Sequence, residues 1–156
     1  MLLSAPVSRS RLVAAGFAAT AIELATVLAV AVALTMIGSL LSSAGLSFGL
    51  ALAGFSSVWP LALLFAGLGI VITGWSLRTS VVTGSVAGVL VGMYVVDLIG
   101  RLDPSLDAIR YASVFRYYGT AVENGIDTLS FLGVTAAAVA LAAIGSLLFE
   151  RRDLSS

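Results

Sequence analysis

Between Leu12 and Leu41 the chain carries a single charge, Glu23, in an otherwise apolar run. That run exceeds the roughly 20 apolar residues a helix needs to cross a bilayer. It is also longer than the roughly 7–15-residue apolar stretch of a secretory signal. Three further apolar segments follow, about 59–77, 81–99 and 131–149. A backbone in hydrocarbon must satisfy its own polar groups, so repeated runs of this kind are expected as helices. The expected fold is an all-α membrane protein, one transmembrane domain over 1–156 with spans at about 12–41, 59–77, 81–99 and 131–149.

Composition supports this and narrows the chemistry. Charged residues make up 10% of the chain and hydrophobic ones 60%, with a mean hydropathy of +1.12. A soluble domain carries roughly 25% charged residues to face water. There is no His and no Cys, and every basic residue is Arg. Neither a thiolate nor an imidazole is available as nucleophile, base or soft-metal ligand. Without Lys no Walker phosphate-binding loop can form. No catalytic residues, metal or cofactor are therefore expected, and the zero net charge offers nothing to nucleic acid.

The connections have distinct character. Ser42–Ser57 mixes Ser and Gly with Leu46, Phe48, Leu50 and Leu52, which suggests an interfacial or shallow re-entrant turn. Trp59 then stands where an aromatic anchor should open the second span. Arg78 and Thr79 give a tight link that makes the second and third spans antiparallel neighbours. The stretch of about 100–130 gathers Arg101, Asp103, Asp107, Arg110, Arg116, Glu123 and Asp127 among aromatic residues. With Pro104 as a helix start capped by Asp103, it reads as an external amphipathic segment, an interfacial or re-entrant helical piece before the last span. Placing both termini in the cytoplasm puts Arg9, Arg11, Arg78, Arg151 and Arg152 inside and Arg101, Arg110 and Arg116 outside, as the positive-inside tendency favours.

Several residues are functional candidates. Glu23 is the one acid well inside a span, either a pathway contact or a side chain that reaches water near the inner interface. Asp97 lies four residues before Arg101, a spacing that permits pairing on a helix; it is an outer anchor or a pathway residue. Gly84, Gly88 and Gly92 repeat on one helix face and suit close helix packing. Gly67, Gly69 and Gly74 mark either a loosened second helix or close packing. Tyr111, Phe115, Tyr117 and Tyr118 form an external aromatic segment, an interfacial belt or a gate.

Three stretches resemble the type-2 ABC exporter permease family. Leu2–Val13, LLSAPVSRSRLV, resembles the end of that family's cytoplasmic coupling loop. Ala112–Gly119, ASVFRYYG, is similar to the external stretch after its penultimate span, with Val114 where Pro is usual. Phe149–Leu154, FERRDL, is similar to its ending, and Gly16 falls near a usual Lys. The chain resembles the last four of six spans, so a late start, a remnant gene or a separate chain supplying the first two helices is expected. The resemblance implies an exporter permease subunit in the cell membrane, among lipids, paired with a second permease chain or the missing N-terminal helices. It also implies a separate ABC ATPase docking near Pro6, Arg9 and Arg11, with headgroup contact as the other role for the two arginines. The competing expectation is a small non-catalytic membrane protein that scaffolds or regulates a larger complex.

Overall fold

The computed structural model describes residues 9–42, 45–76, 78–118 and 125–151. The elements are α1 (Arg9–Ser42), α2 (Phe48–Trp75), α3 (Thr79–Leu102), a 3₁₀ segment (Pro104–Ala112), α4 (Phe115–Tyr118) and α5 (Thr128–Arg151). The described residues contain no strand. Among the described residues four helices are long and apolar enough to span a membrane: Arg11–Ser42, Phe48–Trp75, Thr79–Leu102 and Thr128–Leu148. The chain is an all-α membrane protein with four candidate spans.

One expectation is corrected between the first two spans. Phe48–Ser57 is the first part of α2 and not a separate interfacial turn. Its serines look polar in sequence but spend their hydroxyls locally. Ser47 caps the helix by accepting from the Leu50 amide, and Ser56 and Ser57 donate to the Ala53 carbonyl at 3.3 and 2.7 Å. A serine bonded back to its own helix adds little polarity to the surface. The turn itself is short. Gly45 takes φ 66°, and the buried Ser39 hydroxyl accepts from the Leu46 amide at 3.0 Å.

Trp59 is accordingly well inside α2 rather than at its start. Its indole donates to the Ala21 carbonyl of α1 at 3.0 Å, and its ring stacks on Phe131 of α5 at 6.4 Å. It ties three helices together.

The tightest contact joins α2 to α5. A Cβ on Gly67 would lie 2.7 Å from the Ala138 carbonyl oxygen, and one on Gly74 would lie 3.0 Å from Leu148 Cβ. From the other side, a Cβ on Gly145 would fall 2.8 Å from backbone atoms of Ile70 and Val71. Contacts advance together along both helices, so α2 and α5 run in the same direction. Gly67 and Gly74 thus serve close packing, the use small residues have where lipid offers no hydrophobic drive.

Burial follows this arrangement. In the most apolar windows, 22% of α2 and 17% of α5 is buried, against 6% for both α1 and α3. The pair α2–α5 is the core of the chain, and α1 and α3 lie on its flanks with most of their surface open.

Candidate functional site

The charged residues concentrate where α3 ends. Asp103 closes α3 and caps the next segment, its carboxylate accepting from the Ser105 amide at 2.9 Å and the Ser105 hydroxyl at 2.7 Å. Pro104 starts the 3₁₀ segment, as expected. The chain then turns back along α3. The buried Ser113 hydroxyl donates to the Met93 carbonyl at 2.7 Å, and Phe115 meets Tyr94 edge-on at 5.8 Å. Met93 precedes the end of α3 by nine residues, roughly 14 Å along the axis. The segment is therefore re-entrant with respect to α3.

An ion-pair cluster fastens it there. Asp97, 4% exposed, accepts from Arg101 Nε at 2.7 Å and from Arg110 Nε at 3.0 Å. Arg110 continues to Asp107 at 2.8 Å, and Asp107 also receives Arg116 at 3.0 Å. The Arg116 guanidinium lies 4.0 Å above the Tyr111 ring. Gly100 makes room for this: a Cβ there would collide with the Arg110 side chain and sit 3.2 Å from the Leu106 carbonyl. Hydrogen bonds from Arg116 and then Arg110 hold the Asp107 carboxyl below the usual carboxylate range. Arg110 is raised by its bonds to Asp97 and then Asp107, and Arg116 by its bond to Asp107.

The i, i+4 spacing of Asp97 and Arg101 was visible in sequence, but the partnership with Arg110 was not. Asp107 and Arg110 pair locally at i, i+3, but their union with Asp97 and the part played by Ser113 and Gly100 come only through the chain reversal. Gly100 beside an ionic segment and the i, i+3 spacing of Asp107 and Arg110 are the advance signals in the sequence.

Other candidates lie apart from this cluster. Glu23 is exposed on α1, and no ion pair to it occurs among the described residues. It stands roughly 18 Å along the helix from Arg11. A Cβ on Gly84, Gly88 or Gly92 would meet nothing within 4 Å. That ridge packs against no described part of this chain. Tyr111 and Tyr117 are exposed, and Phe115 is half-buried. Arg9 and Tyr118 occupy helix ends whose side chains are outside the description, Arg11 is exposed near the start of α1, and Pro6 lies outside the described residues.

Two open apolar cavities flank the α1–α2 contact. One, of about 460 Å³, extends from Leu12 to Thr20 of α1 and faces Ala66, Ile70 and Thr73. The other, of about 390 Å³, is aromatic, with Phe48, Phe55, Trp59 and Phe131 on its wall. Nothing in either cavity or in the ionic cluster pairs an activated nucleophile with a base.

Over residues 1–150 the chain matches the family described as multidrug efflux system permease Rv1217c, C-terminal domain. The chain belongs to that family. Comparison with curated proteins and with solved structures returns no match. The multidrug efflux permease assignment accords with four candidate spans among the described residues, a permease being a transport component. In this efflux permease the re-entrant ionic segment and two open apolar cavities are the polar and apolar features that stand out among the described residues.

Proposed function

We propose that the chain is the transmembrane part of an ATP-driven exporter of the type-2 ABC class, powered by a separate ATPase, with both termini in the cytoplasm. The observation that carries this is the coincidence of the multidrug efflux permease match with four candidate spans across nearly the whole chain. The arginine distribution supports the orientation. The absence of Lys supports an ATPase on another chain, since a phosphate-binding loop needs one.

Mechanistically, α2 and α5 would move as one body, because their backbones approach too closely to slide. The flanks of α1 and α3 would face a second permease chain or further helices, which their open surfaces suit. ATP binding would shift the equilibrium between inward- and outward-open arrangements by stabilising one of them. The re-entrant segment, pinned to α3 by Asp97 and Arg110, would then travel with α3 and cover the outer mouth.

The test is isolation of the tagged protein from its native membrane in mild detergent, with ATP-dependent dye uptake measured in inverted vesicles. A stoichiometric ATPase and ATP-dependent uptake are expected. Isolation without any ATPase, together with uptake indifferent to ATP, would sink the proposal and favour a scaffolding role.

A further inference from the structure

The cavity along the N-terminal half of α1 and Glu23 share one side of that helix. Gly16 lines the cavity, and Glu23 follows it by seven residues, about two turns up the same side of the helix. Thr20, also in the wall, precedes Glu23 by about one turn. Glu23 therefore stands at the head of the cavity, just beyond its lining.

The polar inventory of this surface is lopsided. The Thr20 hydroxyl donates to the Gly16 carbonyl at 3.1 Å, and the Thr73 hydroxyl donates to the Gly69 carbonyl at 2.8 Å. Both donors are thus spent on their own helices. The remaining walls, Phe17 and Ile70 among them, are apolar. What is left is an elongated apolar trough with one acidic group at its end. An ionised carboxylate surrounded by hydrocarbon is costly unless a cation accompanies it. The span Arg11–Ser42 carries no cation beyond its first residue, so a cationic partner for Glu23 would come from outside α1.

We infer that Glu23 and the α1–α2 trough form a recognition site for lipophilic monocations, the apolar body lying between Gly16 and Ile70 and the cationic centre at the Glu23 carboxylate. This deepens the export proposal by naming a substrate class, and it rests on that proposal for its role in transport. The binding site itself does not depend on ATP. Open space above Gly16 is part of the site: a Cβ there meets nothing within 4 Å, so a side chain could be added without disturbing the fold.

The experiment uses the full protein in lipid nanodiscs, with tetraphenylphosphonium as the cation and a neutral aromatic dye of similar size for comparison. Equilibrium binding is measured for the wild type, Glu23→Gln and Gly16→Leu. Glu23→Gln is expected to weaken cation binding by about tenfold or more and to leave dye binding unchanged. Gly16→Leu is expected to weaken both, since it fills the trough. Equal loss of both ligands in Glu23→Gln at unchanged thermal stability, or no loss of either, would overturn the inference. So would loss of a co-purifying membrane partner in Glu23→Gln, which would mean that the carboxylate holds a partner's cation. In cells, loss of cation efflux with retained dye efflux in Glu23→Gln supports the site's role. A wild type that binds the cation but exports neither compound would contradict the export proposal and leave the site standing.

Discussion

The α2–α5 contact and the C-terminal end of α3 hold helices together by opposite means. The first is dry and uncharged: Gly67, Gly74 and Gly145 let backbone meet backbone. The second is ionic, with Asp97 buried between two guanidiniums and Asp107 joining Arg110 to Arg116. Close backbone approach tolerates no added atom, whereas an ion-pair cluster can lose one member and redistribute the rest. The α2–α5 pair should therefore break abruptly, and the re-entrant segment should loosen by degrees.

The largest effect is expected at Gly145. A Cβ there falls 2.8 Å from both the Ile70 carbonyl carbon and the Val71 amide nitrogen, and backbone cannot swing aside as a side chain can. Gly145→Leu should cost about 3 kcal/mol or more, read as failure to accumulate in the membrane or as a large fall in thermal unfolding temperature in detergent. Near-wild-type stability would mean that α2 and α5 do not approach as described.

The contrast also explains what the sequence could disclose. Spans are legible because each apolar run is a local property. Phe48–Ser57 misled because Ser and Gly lower its polarity contrast, while the hydroxyls of Ser56 and Ser57 are consumed by the Ala53 carbonyl. The α2–α5 pair joins segments far apart in the chain, yet a trace existed. Gly67 and Gly74 are separated by seven residues, as are Ala138 and Gly145. Matched spacings of small residues are what two closely packed parallel helices would show. Asp97–Arg101 was legible because it lies within one helix. Arg110 was not, since its partnership depends on a reversal after Leu102 that brings Ser113 back to Met93.

Second in size is Asp97→Ala. It leaves Arg110 with Asp107 alone and deprives Arg101 of its partner. Removing one member of a buried pair costs about 3–5 kcal/mol, but Arg101 is half-exposed and water would screen part of the loss. About 2 kcal/mol is expected, with faster amide exchange over Pro104–Ala112 and little change in α5. Exchange that rises equally in α5 would mean that the two regions are one cooperative unit.

A smaller effect is expected from pH. The Asp107 carboxyl is held below its ordinary value by Arg116 and then Arg110. A depressed folded value means that the stabilisation is complete above the unfolded carboxyl range, near pH 3.9, and is lost as pH falls through the lower folded value. Amide exchange in Pro104–Ala112 should thus stay flat from about pH 8 to 5 after correction for intrinsic rates and rise only below about 4. Loosening near pH 6 would assign the docking to some other titrating group.

The smallest effect on the chain itself is expected at Gly84, Gly88 and Gly92, and it separates packing within the chain from packing between chains. These glycines have the spacing of a close-contact ridge, but an added Cβ at any of them meets only open space. Gly88→Leu should change unfolding of the purified chain by no more than about 0.5 kcal/mol, as surface substitutions usually do. Gly145→Leu serves as the disruptive reference. If Gly88→Leu leaves the isolated chain intact yet prevents a second permease chain or further helices from co-purifying, the ridge is an interface with them. If both stability and assembly are unchanged, the ridge faces lipid, and the α2–α5 contact is where small residues in this chain are required.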